Sequence, residues 1–460
     1  MRLRTILLGA LLALTLLPAA TASASATQTT MFEAPRELLS DDAALRAQTL
    51  DEVKGFGVGY MRLVLYWRSV APQPDAFRAP SGDLTDPAAY DWARYDRAVD
   101  EIRARGMQVL LTVSGPVPNW ASRSGHSATS YPSASRFASF ATAVGRHFAG
   151  RVSHYAIWNE PNHPEFLAPQ YSRGKPVSPG LYRELFRAGS RGIRAGVPKA
   201  VVLIGETAPV GTGKVVAPLT FLRGALCLDA KYRKRASCAK LDADGWAHHA
   251  YTHGAPWTAP SSPNDVTIGV LGRLNSALAK AGSAGAIRKD MPIWLTEFGI
   301  QSVPDPIVGV SETMQAEYRA IAERMAYDNP RVRVFSQYLM RDDLPREGPA
   351  SQRYSGFESG LRFSGGAEKR SYEGFRLPLV AKRGKAKVTL WGLVRPHDGS
   401  ARVTIEWAAS ATSRTWHRLK GDTTNARGMW TTTTRFVKGR AYRVTRDGHA
   451  GPPTRVYARG

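Results

Sequence analysis

Short apolar runs at 60–66, 107–113, 152–158, 200–205, 246–251, 293–298 and 332–339 alternate with helical stretches, and a weaker run near 30–33 brings the count to eight. Repeated strand–helix alternation requires parallel pairing, with the helices packed outside the sheet. Eight such units predict a (β/α)8 TIM barrel with enlarged loops. The helical reading rests on spacing: in 90–106, Tyr95, Val99 and Ile102 share one face and Gly106 ends it. Further helices are expected at 137–148, 181–196, 266–281 and 313–327. A doubly wound open sheet is the rival. It wants a glycine-rich turn after an early strand, whereas Gly55, Gly57 and Gly59 precede one.

From Arg376 onward the texture changes. Short β-like runs at 388–393, 402–407, 416–419, 429–436 and 441–444 are separated by Gly, Asp and Asn turns. They predict a small all-β, sandwich-like module, with Lys382-Arg383-Gly384-Lys385 as its lead-in. Of its tryptophans, Trp391, Trp407, Trp416 and Trp430, some must be core. The expected division is therefore a signal peptide over 1–26, a barrel over 27–375 and a basic module over 376–460.

The chain carries 62 Lys+Arg against 38 Asp+Glu, a formal charge of +24. Residues 376–460 hold 18 of the basic and 4 of the acidic residues, a net of +14. Charge gathered in one module suits an anionic surface, here an anionic cell-wall polymer, better than a nucleic acid. No zinc-finger spacing, helix-turn-helix cue or aromatic ribonucleoprotein motif is present.

At the N-terminus, Arg2 and Arg4 precede an apolar run over 6–17 that is too short to span a bilayer. Ala22-Ser23-Ala24 and Ala24-Ser25-Ala26 follow as cleavage sites. A secreted chain with no stable membrane anchor is expected. Cys227 and Cys238 are the two cysteines, and an oxidising compartment favours their pairing. Such a short loop contributes roughly 2–3 kcal/mol. No metal site is expected, because His248, His249 and His253 lack a carboxylate at zinc-protease spacing.

In a barrel of this kind, residues ending the strands face the mouth. Arg62 lies on the second strand, Asn159 and Glu160 end the fourth, His249 and Tyr251 belong to the sixth, and Glu297 ends the seventh. Both glutamates follow a tryptophan at the end of an apolar run, where a carboxylate is costly unless paired or used. They are 137 residues apart, three strand–helix units, which sets them across the mouth from each other. Glycoside hydrolysis needs such a pair, one carboxyl to protonate the departing oxygen and one to attack or activate water. Arg62 would keep one ionised, and an apolar setting would keep the other protonated. Glu206 is read as structural, and Glu165 and Asp305 as loop surface.

These motifs resemble those of clan A glycoside hydrolases. Trp158-Asn159-Glu160-Pro161-Asn162 is similar to their acid/base motif, and Trp294-Leu295-Thr296-Glu297-Phe298-Gly299 to their nucleophile motif. The stretch from Arg62 to Pro72, the loop Gly115-Pro116 to Trp120-Ala121, and His249-Ala250-Tyr251 resemble further parts of the same barrels. The resemblance covers roughly residues 30–375 and is to the cellulase-like or β-xylosidase-like retaining enzymes. Together with the Ala- and Arg-rich composition it suggests an actinobacterial secreted type.

What the resemblance implies is a retaining mechanism on a carbohydrate substrate, without metal or organic cofactor. Glu160 would be acid and then base, and Glu297 the nucleophile. Asn159 would bind the neighbouring sugar hydroxyl, Arg62 and Tyr251 would orient Glu297, and His249 would line the subsite. Trp67 and Trp120 would stack on sugar faces. Two departures stand out. The third strand reads Leu111-Thr112-Val113-Ser114 where many relatives carry a histidine. The eighth reads Ser336-Gln337-Tyr338-Leu339-Met340-Arg341-Asp342 where many carry a tryptophan, leaving Tyr338 or Asp342 as substitutes. Two rival readings keep the same barrel: a non-catalytic polysaccharide- or wall-binding protein, and a transglycosylase.

Overall fold

The computed structural model describes Ser25, residues 28–125 and residues 127–458. Apart from Ser25, the expected signal peptide over 1–26 lies outside the described residues. Among the described residues, no helix is long and apolar enough to cross a membrane.

Eight parallel strands close into a barrel in chain order. They are β1 (Thr29–Glu33), β2 (Tyr60–Tyr66), β3 (Gln108–Ser114), β4 (His154–Ile157), β5 (Val201–Thr207), β6 (Gly245–His249), β7 (Ile293–Glu297) and β8 (Val332–Tyr338). Closure runs through β1 and β8, from Thr29 opposite Val334 to Glu33 opposite Tyr338. The expected helices appear as Ala93–Ala104, Ala134–His147, Ser178–Gly196, Gly272–Ser283 and Glu312–Tyr327. Helices Ala43–Gly55 and Pro218–Ala225 escape the sequence reading. The first shows little apolar stripe, although Asp42 caps it by accepting from the Ala44 and Leu45 amides.

The barrel interior is layered. Met31, Leu110, Ala156, Leu203, Ala247, Trp294 and Val334 form an apolar plug. Side chains alternate along a strand with period two, so the next inward positions above Met31, Leu110 and Ala247 are Glu33, Thr112 and His249. A polar layer thus rests directly on the plug, beneath the mouth. Cys227 and Cys238 are joined in a disulfide on the loop between β5 and β6.

The C-terminal strands are β9 (Leu379–Arg383), β10 (Lys387–Leu393), β11 (Arg402–Ala408), β12 (His417–Thr423), β13 (Met429–Arg435), β14 (Ala441–Arg446) and β15 (Thr454–Tyr457). They form one mostly antiparallel sheet in the order β12-β11-β14-β15-β9-β10-β13, with β9 and β15 parallel. The sheet curls around its own core, in which Leu379, Leu390, Val403, Ile405, Trp430 and Val444 meet. Lys382 and Arg383, expected as a lead-in, instead belong to β9 and pair with Thr389 and Val388. Trp391 and Trp430 are buried, and Trp407 and Trp416 are half-buried beneath Arg440 and Arg443.

This module is built onto the barrel. Val380, Trp391 and Leu393 pack on Ala320 and Ile321 of helix Glu312–Tyr327. From the same helix, Glu323 pairs with both Arg395 of the module and Arg319, and all three are buried. Glu317 pairs with Arg455 at 2.7 Å.

Candidate active site

Arg62 is fully buried at the centre of the polar layer, and all five of its N–H groups are used. Nη1 donates to Glu33 Oε2 at 2.5 Å and to Glu297 Oε1 at 2.6 Å. Nη2 donates to Asn159 Oδ1 at 2.7 Å and to Glu206 Oε2, and Nε donates to Thr112 Oγ1 at 3.2 Å. One guanidinium therefore ties together residues of β1, β3, β5 and β7 and the segment after β4. Its planar fork matches that fixed geometry as an ammonium would not.

Local backbone aims the carboxylates. Trp158 has φ 71° and Glu160 φ 37°, both in the left-handed region that costs a side-chain-bearing residue free energy. Neighbouring hydrogen bonds hold this turn: Trp158 N donates to Val113 O, Asn159 N to Ser114 Oγ and Glu160 N to Glu206 O, at 2.9, 3.0 and 3.0 Å. Trp158 itself is buried against Gly115, where a Cβ would meet its ring at 2.7 Å. A register shift between Gly205 and Thr207 turns Glu206 inward, with Gly205 at φ 111° and Glu206 at φ 47°.

His249 bridges the two glutamates singled out from sequence. Its Nδ1 lies 2.8 Å from Glu160 Oε1, and its Nε2 lies 3.5 Å from Glu297 Oε1. Tyr251 Oη donates to Glu297 Oε2 at 3.1 Å. The Glu160, His249 and Glu297 atoms that face one another all lie within 4.8 Å, so the two carboxyl groups meet across that gap. Three such donors resemble an ion cradle. Here, however, Glu160 is taken up by His249 and Glu297 by Arg62 and Tyr251, which makes the cluster a hydrogen-bonded carboxylate pair.

The environments of these groups diverge. Burial alone would raise Glu297, but the charges of His249 and Arg62 outweigh it and hold this carboxyl below its ordinary value. Burial opposes charge on His249, yet Glu297 and Glu160 hold the imidazole above its ordinary value. Burial drives Glu33 the other way, up to about 8, against the pull of Arg62.

The structure thus brings Arg62, Asn159, Glu160, His249, Tyr251 and Glu297 into one cluster. Trp67 and Trp120 do not join it. Trp67 is fully buried and stacks on Phe140 at 4.9 Å, while Trp120 packs edge-on to Trp67 and donates to Pro72 O. Neither offers a face to a sugar, because both close the aromatic core behind the loops. Asp342 is also turned away, bonded to Lys369 at 2.6 Å, and Asp305 is buried rather than on the surface.

Glu33, Thr112 and Glu206 escaped the sequence reading as members of the site. Glu33 and Glu206 carried the signal used for Glu160 and Glu297, a carboxylate at or near the end of a barrel strand. Phe357 was also missed. It is 39% exposed, with its ring 5.0 Å from Tyr338 and 5.9 Å from Tyr251.

No protein-family model and no curated protein sequence matches the chain. The fold does match solved structures. A glucosidase from Croceicoccus marinus is 14% identical, with 93% of this chain and 98% of that one covered and a TM-score of 0.54. A monomeric beta-xylosidase from Caulobacter crescentus CB15 is 16% identical, with the same coverage and TM-score. A family 39 glycoside hydrolase from the gut symbiont Bacteroides cellulosilyticus WH2 is 14% identical, covering 89% of this chain and 80% of that one at a TM-score of 0.51. At these identities the likeness establishes the barrel with its appended β module.

Proposed function

We propose that the chain is a secreted, retaining glycoside hydrolase that cleaves β-linked poly- or oligosaccharides. The observation that carries this reading is the approach of Glu160 and Glu297 to within 4.8 Å. Carboxyl groups about 5 Å apart suit direct attack on the sugar, whereas inverting enzymes leave roughly 6.5–9.5 Å for a water. Glu297, held ionised by His249, Arg62 and Tyr251, attacks the anomeric carbon while Glu160 protonates the departing oxygen. In the second step Glu160 takes a proton from water, the water attacks the same carbon, and Glu297 leaves as carboxylate. Asn159, with its oxygen on Arg62, offers its amide nitrogen to the hydroxyl beside the reacting carbon. His249 lies between the two glutamates and orients both.

Solved structures of similar fold include a glucosidase and a beta-xylosidase, which favours a β-glycoside substrate. The disulfide and the N-terminal sequence favour export. The net charge of +14 over 376–460 favours retention on an anionic wall polymer, weakening as salt rises. A panel of aryl β-glycosides and polysaccharides tests the reading on wild type and Glu297→Ala. Wild type should turn over at least one member. The variant should be inactive on it and recover with azide as an α-glycosyl azide. Full activity of the variant would overturn the assignment.

A further inference from the structure

Glu33, like Glu206, is a carboxyl group for which the two-step displacement has no use. It is buried on β1 and shares Nη1 of Arg62 with Glu297, each taking one of the two hydrogens on that nitrogen. Glu206 takes a third contact from the same guanidinium. Arg62 therefore faces three carboxyl groups in a buried layer, and two of them, Glu297 and Glu206, also have His249 Nε2 at 3.5 and 3.9 Å. Buried carboxylates persist only when each is paired, and an unpaired one is relieved most easily by taking up a proton. Glu206 also accepts from Thr112 at 3.1 Å, and Glu297 from Tyr251. Arg62 is the one donor seen on Glu33 among the described residues.

We propose that Glu33 is a positioning residue that remains a neutral acid while the site works, accepting one N–H of Arg62 and leaving the guanidinium charge to Glu297. This rests on the hydrolase reading above. The charged and titratable groups facing Glu33 are Arg62 and Tyr66 from β2, Glu206 from β5, Tyr251 from the loop after β6, Glu297 from β7 and Tyr338 from β8. The tyrosines are all held neutral by burial, so Arg62 is the cation paired with Glu33, while His249 of β6 lies 3.5 and 3.9 Å from Glu297 and Glu206. The upward displacement of Glu33 to about 8 agrees with this arrangement. Its ionisation at alkaline pH would set a third anion against Arg62, loosen the grip on Glu297 and slow the attack.

The test uses Glu33→Gln, which keeps the acceptor oxygen and the volume but cannot ionise. On an aryl glycoside with an activated leaving group, protonation by Glu160 is dispensable, so the alkaline limb of kcat reports the nucleophile's surroundings. Glu33→Gln should move that limb up by at least about one pH unit. Infrared difference titration with labelled glutamate gives a readout free of turnover. Wild type should show a protonated-carboxyl band lost near pH 8, and Glu33→Asp, which keeps an acid in place, should lack that labelled signal. A wild type without the band, or an alkaline limb that Glu33→Gln leaves in place, overturns the proposal. A wild type that cleaves no glycoside would instead strike at the hydrolase reading, while the infrared band still decides the state of Glu33.

Discussion

Glu160 and Glu297, from the segment after β4 and the end of β7, present carboxyl oxygens within 4.8 Å of each other across the barrel mouth. His249 touches one and faces the other. Their surroundings differ: Glu297 is tied to Arg62 and Tyr251, whereas Glu160 has His249 and partial solvent access. Two carboxyl groups with unlike partners are what a division between acid and nucleophile requires.

Replacing Glu160 by Ala should separate substrates by leaving group. Natural glycosides, which need a proton on the departing oxygen, should lose about 10²–10⁴-fold in kcat/KM, and activated aryl glycosides far less. Equal losses on both would remove Glu160 from the acid role.

Phe357, from the segment after β8, is the exposed ring beside Tyr338 and Tyr251. Phe357→Ala should raise KM about two- to tenfold, the scale of one aromatic contact, with little change in kcat. An unchanged KM across the substrate panel would show that this ring touches no sugar.

Stability should respond to pH through Glu358, which is buried and pushed up to about 7 by burial and then by Asp342. In the unfolded chain a glutamate titrates near 4.3. Between these values the folded chain holds a proton that the unfolded chain lacks, so rising pH favours unfolding. Glu358→Gln should flatten the decline in melting temperature between about pH 4.5 and 7. Parallel curves for the two proteins would contradict this.

At the junction with the module, Arg395→Met leaves buried Glu323 with Arg319 alone. Breaking a buried pair on one side costs about 3 kcal/mol or more, so the melting temperature should fall clearly. An unchanged melting temperature would mean that this ion pair contributes nothing to holding the module on the barrel.

The barrel was legible because its strands are near-continuous apolar runs, such as Met61 to Leu65, that only a doubly covered sheet buries. The carboxylates at 160 and 297 were legible because each follows a tryptophan at the end of such a run. Glu206 is not legible as a site residue because its inward aim comes from a backbone shift at Gly205, which no side-chain pattern announces. Glu33 was missed because β1 is short and weakly apolar. The burial of Trp67 depends on Phe137 and Phe140 of helix Ala134–His147, and Trp120 packs on Trp67 in turn, so neither reads as core from its own segment. The join between barrel and module depends on Glu323 meeting Arg395 72 residues later, and local sequence does not encode that meeting.

The anomeric configuration of the first-formed product, followed by proton NMR during hydrolysis of an aryl β-glycoside, tests the central claim most directly. Two carboxyl groups within 4.8 Å predict that the sugar appears first as the β anomer and only later mutarotates. A sugar released first as the α anomer would show that water attacks directly, and the roles given to Glu160 and Glu297 would fall.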